Sequence, residues 1–257
     1  MNARRTGSPP PRGVVFDTDG VLLDSAAVHA AAWKSAFDAC LDRAATEAGG
    51  QAPFDVDAEY RRFVDGRSRY DGAEAFLTAR GIRLPPGAPG DPPGCDTVWA
   101  VAAGKEQAFQ EALDRVPVAC YQEAEASLAV LRSLGVPCAA VSASRHARAL
   151  LDTAGLVPFL AAVVDGEEAA RLGLAGKPDP ALFLHAAGLL GTRPGDTAVV
   201  EDALAGIRAG RRGRFGLVVG VDRTPDAHAG SGLREAGADL VVPDLATLVR
   251  SVWGERG

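Results

Sequence analysis

Two aspartates separated by one residue stand near the start of the sequence, directly after a short apolar run. Asp17 and Asp19 follow Val14-Val15-Phe16, and Gly20 comes next. Carboxylates this close repel each other, and burial at the end of a strand raises the cost of ionising both. A divalent cation relieves such repulsion. The pair therefore indicates either a tight turn, in which Asp and Gly are common, or an acidic cluster that performs chemistry.

An EF-hand loop is another explanation for paired aspartates, and the spacing argues against it. That loop requires a glycine at its sixth position and a glutamate at its twelfth. Counted from Asp17, Gly20 is the fourth residue and Val28 the twelfth. The choice between a turn and a catalytic cluster therefore depends on the rest of the chain.

Polar residues follow further apolar runs of the type that fills buried strands. Ser142 and Ala143 come after the run that ends at 141, Lys177 stands between a glycine and a proline, and Glu201-Asp202 follow the run 197–200. Taken singly, the serine is more typical of a helix cap, the lysine of a solvated turn, and the acids of a helix start. In a parallel sheet, however, strand ends meet at one edge, where ligands bind.

At such an edge the four acids would form a site made of oxygen ligands. Asp17, Asp19, Glu201 and Asp202 provide carboxylates suited to Mg²⁺, which binds through a few carboxylates together with phosphate oxygens. A lysine fixed beside them would hold a phosphoryl group by charge and offset the repulsion of the acids. The sequence thus predicts Lys177 as a catalytic residue and Mg²⁺ as the cofactor.

The order of apolar runs predicts the fold class. From residue 123 onward, short apolar runs and helical segments alternate, which indicates an α/β fold with a Rossmann-like parallel sheet covered on both faces. Residues 25–114 lack strand-like runs and predict an inserted all-helical domain, with a Pro- and Gly-rich irregular loop at 84–97. We therefore expect an α/β core at 13–24 and 115–257, a helical cap at 25–114, and a disordered tail at 1–12.

Composition excludes several classes of protein. The chain has 257 residues, 47% hydrophobic and 23% charged, with a net charge of -6, which argues against a nucleic-acid backbone or an anionic membrane as its partner. No run is long and apolar enough to span a bilayer. The four cysteines show no Cys-x-x-Cys pair and no clustering with histidines, so they predict free thiols in a reducing, cytoplasmic compartment rather than a zinc or redox site.

Taken together, these motifs resemble the haloacid dehalogenase superfamily of phosphoryl-transfer enzymes. They occur in that superfamily's order, with Asp17-x-Asp19-Gly20 first, then Ser142, Lys177 and Glu201-Asp202. The resemblance implies that Asp17 is a nucleophile that forms an aspartyl-phosphate and that Asp19 is a general acid and base. It further implies that Mg²⁺ is held by Asp17, the Asp19 carbonyl and Asp202, with Glu201 in support.

A closer resemblance is to the β-phosphoglucomutase-like branch. His29 and Trp33 follow the first motif with the spacing of that branch, and Gly66-Arg67-Ser68-Arg69 resembles its cap segment. The resemblance implies substrate-binding roles for Ser142, Ala143 and Gly20 in the core and for three cap residues: His29, Arg69, which would hold a distal phosphate, and Lys105. The alternatives for the cap residues are a packed hinge histidine and solvated charges.

Three functions fit these residues. The first hypothesis is a Mg²⁺-dependent phosphatase of a small phosphorylated metabolite, with a sugar phosphate as substrate. The second is a sugar phosphomutase that uses the same aspartyl-phosphate, since the two differ only in whether water or a sugar hydroxyl accepts the phosphoryl group. The third is a noncatalytic binding protein, which the joint presence of Asp17, Asp19, Lys177 and Asp202 disfavours. We expect a monomer.

Overall fold

The structure is a computed structural model that describes residues 9–48, 50–115, 117–223 and 230–254. The chain divides into two compact units, one formed by residues 1–24 and 119–257 and the other by residues 25–118. We call the first the core unit and the second the helical unit. Among the described residues, no helix combines the length and the apolar character needed to cross a membrane.

The core unit is built on a parallel sheet. Its described strands have the order β3-β2-β1-β4-β5-β6, and every neighbouring pair is parallel. The predicted Rossmann-like α/β fold class is confirmed. The strands are β1 (Gly13–Asp17), β2 (Cys138–Val141), β3 (Ala162–Val164), β4 (Thr197–Glu201), β5 (Leu217–Val221) and β6 (Leu240–Val242).

Helices accompany the strands because the interior residues of the central strands are apolar. Val15, Val199 and Val218 are fully buried, and Phe183 packs in the same cluster. Strands that are apolar on both faces need helices on both faces to exclude water. The helices of this unit are α4 (Ala124–Ser133), α5 (Ala147–Thr153), α6 (Gly166–Leu172), α7 (Ala181–Leu189), α8 (Leu204–Arg212), α9 (Ser231–Ala236) and α10 (Leu245–Trp253).

The strand register brings the carboxyl ends of the central strands to one edge. In β1, Asp17 lies opposite Val141, the last residue of β2, and Phe16 lies opposite Val200 of β4. The residues that follow these strands therefore emerge side by side. This alignment positions the polar residues that the sequence analysis selected.

The helical unit has an aromatic core. It contains α1 (Ala26–Ala48), α2 (Arg69–Ala79) and α3 (Val98–Leu113), with a short π-helical segment, Tyr60–Val64, before α2. Phe37 packs against Trp33, Phe54 and Phe76, with ring centroids 4.8, 5.0 and 4.0 Å away. Contacts among large aromatic side chains bury much of the surface that a small helical unit needs for stability.

The Pro- and Gly-rich segment at 84–97 has no regular secondary structure, as predicted. Asp91 nevertheless closes it internally, because its carboxylate accepts hydrogen bonds from Thr97 Oγ1 at 2.5 Å and from the Ala88 amide at 3.1 Å. Gly87 has a φ of +73°, and a side chain there would overlap Asp91 and Thr97. The segment is therefore an ordered loop.

The cysteine prediction is wrong for one pair. Cys40 of α1 and Cys95 of the 84–97 loop form a disulfide, with their Cα atoms 5.4 Å apart, whereas Cys120 and Cys138 are free. The pairing was not predictable because the partners are 55 residues apart and belong to no motif. The predicted cytoplasmic location, which depends on free thiols, therefore remains a prediction.

A thiol count checks this disulfide. Cys138 is 2% exposed, and burial raises its pKa to about 12, so it should not react while the protein is folded. We expect native, unreduced protein to react with a thiol reagent at Cys120 alone, denatured unreduced protein at Cys120 and Cys138, and denatured reduced protein at all four cysteines. Modification of Cys40 or Cys95 before reduction would contradict the disulfide.

Further differences concern the ends of the core unit. Residues 1–8 of the predicted disordered tail lie outside the described residues, whereas the tail's last residues are bonded: the Trp253 indole donates to Pro11 O at 3.3 Å and the Arg12 amide donates to Asp196 O at 2.7 Å.

The helices α6, α9 and α10 were not predicted. Two of them have caps visible in the sequence, since Asp165 and Asp244 accept backbone hydrogen bonds at the starts of α6 and α10.

Candidate active site

Asp17 is the last residue of β1 and is 4% exposed. Its Oδ1 accepts a short hydrogen bond from Lys177 Nζ. The same ammonium group donates to Glu201 Oε1 at 2.5 Å, at the end of β4. Lys177 therefore bridges two buried carboxylates from neighbouring strands.

The residues after Asp17 form a tight turn against β2. Thr18 Oγ1 donates to the carbonyl of Val141 at 3.0 Å, and the carbonyl of Thr18 accepts the amides of Leu22 and Leu23 at 3.0 and 2.9 Å. Asp19 Oδ2 accepts a hydrogen bond from Ser142 Oγ at 2.8 Å. The turn that was one explanation for the Asp pair is thus real, and it also places the Asp19 carboxylate beside a second strand end.

Ser142 and its neighbours form the adjoining loop after β2. Ser142 is 1% exposed, and its Oγ also accepts the amide of Ser144 at 3.0 Å. Ala143 lies between them, and its carbonyl closely approaches Gly166, where a side chain would overlap it. Two predicted substrate-binding residues, Ser142 and Ala143, therefore lie on the loop next to Asp19.

Two glycines permit the close approach of the acids. Gly20 has a φ of +76°, and a side chain there would overlap the carboxylate of Asp202. Gly206, in α8, faces Glu201 in the same way, and a side chain there would overlap the Glu201 carboxylate. Glu201 Oε2 accepts the amide of Ala203 at 2.7 Å, which fixes the carboxylate at the end of β4.

One carboxylate oxygen from each of Asp17, Glu201 and Asp202 lies within 4.8 Å of the others. This oxygen-rich cluster has the donors that Mg²⁺ prefers. Lys177, which follows Gly176 and forms a cis peptide bond with Pro178, supplies one positive charge against these three acids. The donor chemistry and the charge balance of the residues therefore fit a divalent cation.

The pKa shifts of Asp17 and Lys177 also agree with a divalent cation in this cluster. Burial raises the pKa of the Asp17 carboxyl well above its usual range; the Lys177 charge opposes the rise, and the Glu201 and Asp19 charges add to it. Burial alone would lower the pKa of Lys177, but the charges of Asp17 and Glu201 raise it above its usual value. Lys177 is therefore an ammonium ion, and more positive charge would favour ionised Asp17.

The remaining predicted residues lie in the helical unit. His29 is 8% exposed and Lys105 is 5% exposed; Lys105 Nζ lies 3.0 Å from His29 Nδ1 and 4.4 Å from the centroid of Phe109. Arg69 forms an ion pair with Glu106 at 2.8 Å. The fold thus brings His29 and Lys105 together and gives Arg69 an anionic partner within the same unit.

Sequence reasoning missed two residues that contact this site. Thr18 is fully buried between the two aspartates, and Arg223, which follows β5, donates to the turn after Asp19. The strand-end rule that selected Ser142 and Glu201 also applies to Arg223, so a signal was available. Its backbone acceptors gave no signal, because every residue has a carbonyl.

A buried carboxylate, a bridging lysine and an acidic cluster at the ends of parallel strands are the groups that suit a phosphoryl-transfer enzyme of the α/β class. Residues 11–214 match the family model described as haloacid dehalogenase-like hydrolase. The chain belongs to this family, and within it to the β-phosphoglucomutase-like branch.

Curated relatives and solved structures agree with this assignment. The chain is 42% identical to a protein named beta-phosphoglucomutase from Mycobacterium bovis, over 97% of this chain and 96% of that protein. It is 30% identical to the beta-phosphoglucomutase of Bacillus subtilis, over 95% of this chain and 94% of that protein. A HAD family hydrolase from Deinococcus radiodurans, solved with bound phosphate and sodium, is 28% identical with a TM-score of 0.63, covering 95% of this chain and 96% of that one.

Proposed function

We propose that this protein is a Mg²⁺-dependent phosphoryl-transfer enzyme acting on a sugar phosphate, with a hydroxyl of a second sugar phosphate as the acceptor. The observation that carries the proposal is the Lys177 ammonium bridging Asp17 and Glu201, with Asp202 in the same cluster. The likeness to two proteins named beta-phosphoglucomutase extends over almost the whole chain and supports the choice of acceptor.

The proposed reaction has two half-reactions. In the first, an Asp17 carboxylate oxygen forms a bond to phosphorus as the bond to the leaving oxygen breaks, and Asp19 gives that oxygen a proton. In the second, the acceptor hydroxyl forms a bond to phosphorus as the Asp17 oxygen leaves, and Asp19 takes the hydroxyl proton. Asp17 and Asp19 end in the states in which they began.

Other residues of the core unit stabilise the negative charge of the phosphoryl group during these steps. Lys177, anchored by Asp17 and Glu201, places a positive charge beside the nucleophile and stabilises the negative oxygens of the transferred group. Asp17, Asp202 and Glu201 would hold Mg²⁺, with the Asp19 carbonyl as the further predicted ligand; the bound ion would neutralise phosphoryl charge. Ser142 orients the Asp19 carboxyl through its hydrogen bond.

Hydrolysis is the second candidate. The matched family is described as one of hydrolases, and a carboxylate that acts as general base takes a proton from water as well as from a sugar hydroxyl. With water as the acceptor, the same residues make the protein a sugar-phosphate phosphatase. The two candidates differ in product and share every step up to the aspartyl-phosphate.

A product assay tests the proposal and separates the two candidates. Purified protein is incubated with β-glucose 1-phosphate, a catalytic amount of glucose 1,6-bisphosphate and Mg²⁺, and both glucose 6-phosphate and inorganic phosphate are measured. We expect glucose 6-phosphate to accumulate, and excess EDTA to abolish its formation.

Asp202→Asn should require more Mg²⁺ for the same rate because it removes a carboxylate of the cluster.

Each other outcome contradicts a specific part of the proposal. Release of inorganic phosphate without glucose 6-phosphate would identify a phosphatase. Full activity in EDTA would remove the metal from the mechanism. No turnover of these sugar phosphates by wild-type protein would overturn the substrate proposal.

A further inference from the structure

Arg223 makes a set of contacts around the turn that follows Asp19. Its Nε donates to the carbonyl of Gly20 at 3.2 Å and its Nη2 to the carbonyl of Val21 at 3.1 Å. Its Nη1 donates to Glu123 Oε1 at 2.7 Å. The guanidinium carbon also lies 3.4 Å from the ring centroid of Tyr121. One side chain therefore joins the turn to a segment of the chain about a hundred residues away.

The two carbonyls need this donor. Val21 is fully buried and Gly20 is buried as well, and a buried carbonyl without a hydrogen bond costs free energy. An arginine can satisfy both carbonyls at once because its guanidinium is a rigid, planar fork of donors. Glu123 balances its charge, so this arginine does not present an unpaired cation beside the site.

The partner segment is itself paired with the turn. The amide of Tyr121 donates to Leu22 O at 3.0 Å, and the amide of Asp24 donates to Ala119 O at 2.9 Å. The Tyr121 hydroxyl also donates to Asp24 Oδ1 at 3.3 Å. Arg223, which follows β5, stacks on the Tyr121 ring, so the turn is held both by this segment and by Arg223 within the core unit.

These contacts lie one and two residues after Asp19. On its other side, Thr18 is fixed to β2 through the carbonyl of Val141. The backbone of Asp19 is therefore held before and after the residue, while its carboxyl is oriented by Ser142. Of these attachments, the Arg223 hydrogen bonds alone come from the segment that follows β5.

We propose that Arg223 is a positioning residue that fixes the backbone of Asp19 so that the Asp19 carboxyl can deliver its proton to the leaving oxygen. This inference rests on the proposed function, specifically on Asp19 as the general acid. A misplaced catalytic group costs rate without costing substrate affinity. Replacing Arg223 should therefore lower the rate of reactions whose leaving group needs a proton.

Leaving-group dependence tests the role. Single-turnover rates of enzyme phosphorylation are measured over a range of substrate concentrations with glucose 1,6-bisphosphate, whose alkoxide leaving group needs protonation, and with p-nitrophenyl phosphate, whose phenolate does not. For Arg223→Met we expect a loss on the order of 10- to 100-fold in the maximal rate with the sugar bisphosphate, an unchanged half-saturating concentration, and a change of less than about threefold with the aryl phosphate. Arg223→Lys, which retains a donor and the charge, should recover part of the rate.

Two reference variants make the result interpretable. Arg211→Met removes another arginine fork of the core unit, which binds Asp239 at 2.5 and 3.1 Å, and should leave both rates near wild type. Asp19→Asn should show the same substrate selectivity as Arg223→Met, but with a larger loss. If Arg223→Met does not fold, Arg223→Lys is compared with Arg211→Lys in the same assays.

The outcomes separate the two claims. If Asp19→Asn is selective and the Arg223 variants lower both rates equally, or lower neither, the positioning role is wrong and the proposed function stands. If Asp19→Asn itself shows no selectivity, the general-acid role of the proposed function is wrong, and the inference about Arg223 fails with it. Selective loss in both variants supports both claims.

Discussion

Replacing Asp17 with asparagine should reduce phosphoryl transfer by on the order of 10³-fold or more, because the variant has no carboxylate to attack phosphorus. The amide keeps the size and shape of the side chain, so substrate binding should change little. Initial rates of sugar-phosphate turnover at saturating substrate and Mg²⁺ measure the effect. Asp196→Asn, the same change at a partly exposed residue before β4, serves as the matched control and should retain wild-type activity.

The same variant should be at least as stable as the wild type. In the absence of metal, burial raises the pKa of the Asp17 carboxyl, which means that folding disfavours its charged form at neutral pH. Asparagine removes that charge, so the urea midpoint in EDTA should be unchanged or higher. A large loss of stability would show that the lost activity reflects unfolding rather than the missing nucleophile.

Of the substitutions proposed for the core unit, Lys177→Met should lower the free energy of unfolding most. The ammonium is 1% exposed and bridges Asp17 and Glu201, so its loss leaves two buried carboxylates without their cation. Breaking a buried ion pair in this way costs about 3–5 kcal/mol. Urea unfolding in EDTA measures the cost. Arg211→Met, which removes a more exposed ion pair of the same unit, should cost about 0–1 kcal/mol.

The cost of Lys177→Met should also increase with pH. Lys177 lowers the pKa of Asp17 in the wild type, so its removal raises that folded-state pKa further above the unfolded value. A carboxyl with a raised folded pKa adds stability when protonated, and this stability is lost as pH rises through that pKa. The variant should therefore be closer to wild type at pH 5 than at pH 8. An equal difference at both pH values would contradict the burial of uncompensated carboxylates.

The sheet and four of its described flanking helices, α4, α5, α7 and α8, were predictable because their signals are local. The run Val14-Val15-Phe16 is apolar at every position, as a strand buried on both faces requires, and the structure contains it in β1. The order of the strands was not read from the sequence, since pairing depends on contacts between distant segments. The helices α6, α9 and α10 were missed, although Asp165 and Asp244 mark the starts of two of them.

The proximity of the candidate site residues in the core unit was predictable from chemistry and position. Asp17 was selected because paired acids at a strand end are costly without a cation, and the structure indeed buries it beside a lysine. Lys177 was selected only in combination with those acids, since a lysine in a turn is usually solvated. The sequence placed Glu201 with the metal ligands, whereas its ion pair with Lys177 appeared only in the structure.

Contacts to backbone atoms, or between residues far apart in sequence, were not predictable, even though the position of Arg223 after a strand gave a signal. Arg223 lies 203 residues after Gly20, and the carbonyl it binds has no sequence signature. The Cys40–Cys95 pairing likewise depends on how the 84–97 loop packs against α1. In both cases the interaction is set by tertiary geometry, which no periodicity or motif records.

The phosphorylated enzyme is the species on which the mechanism depends, and trapping it tests the account most directly. Wild-type protein is mixed with Mg²⁺ and glucose 1,6-bisphosphate carrying labelled phosphate, quenched in acid within a single turnover, digested, and analysed by mass spectrometry. The account predicts one acyl phosphate, on Asp17, that disappears when β-glucose 1-phosphate is added before the quench. Turnover of the sugar phosphate with no label on Asp17, or with label on another residue, would contradict it.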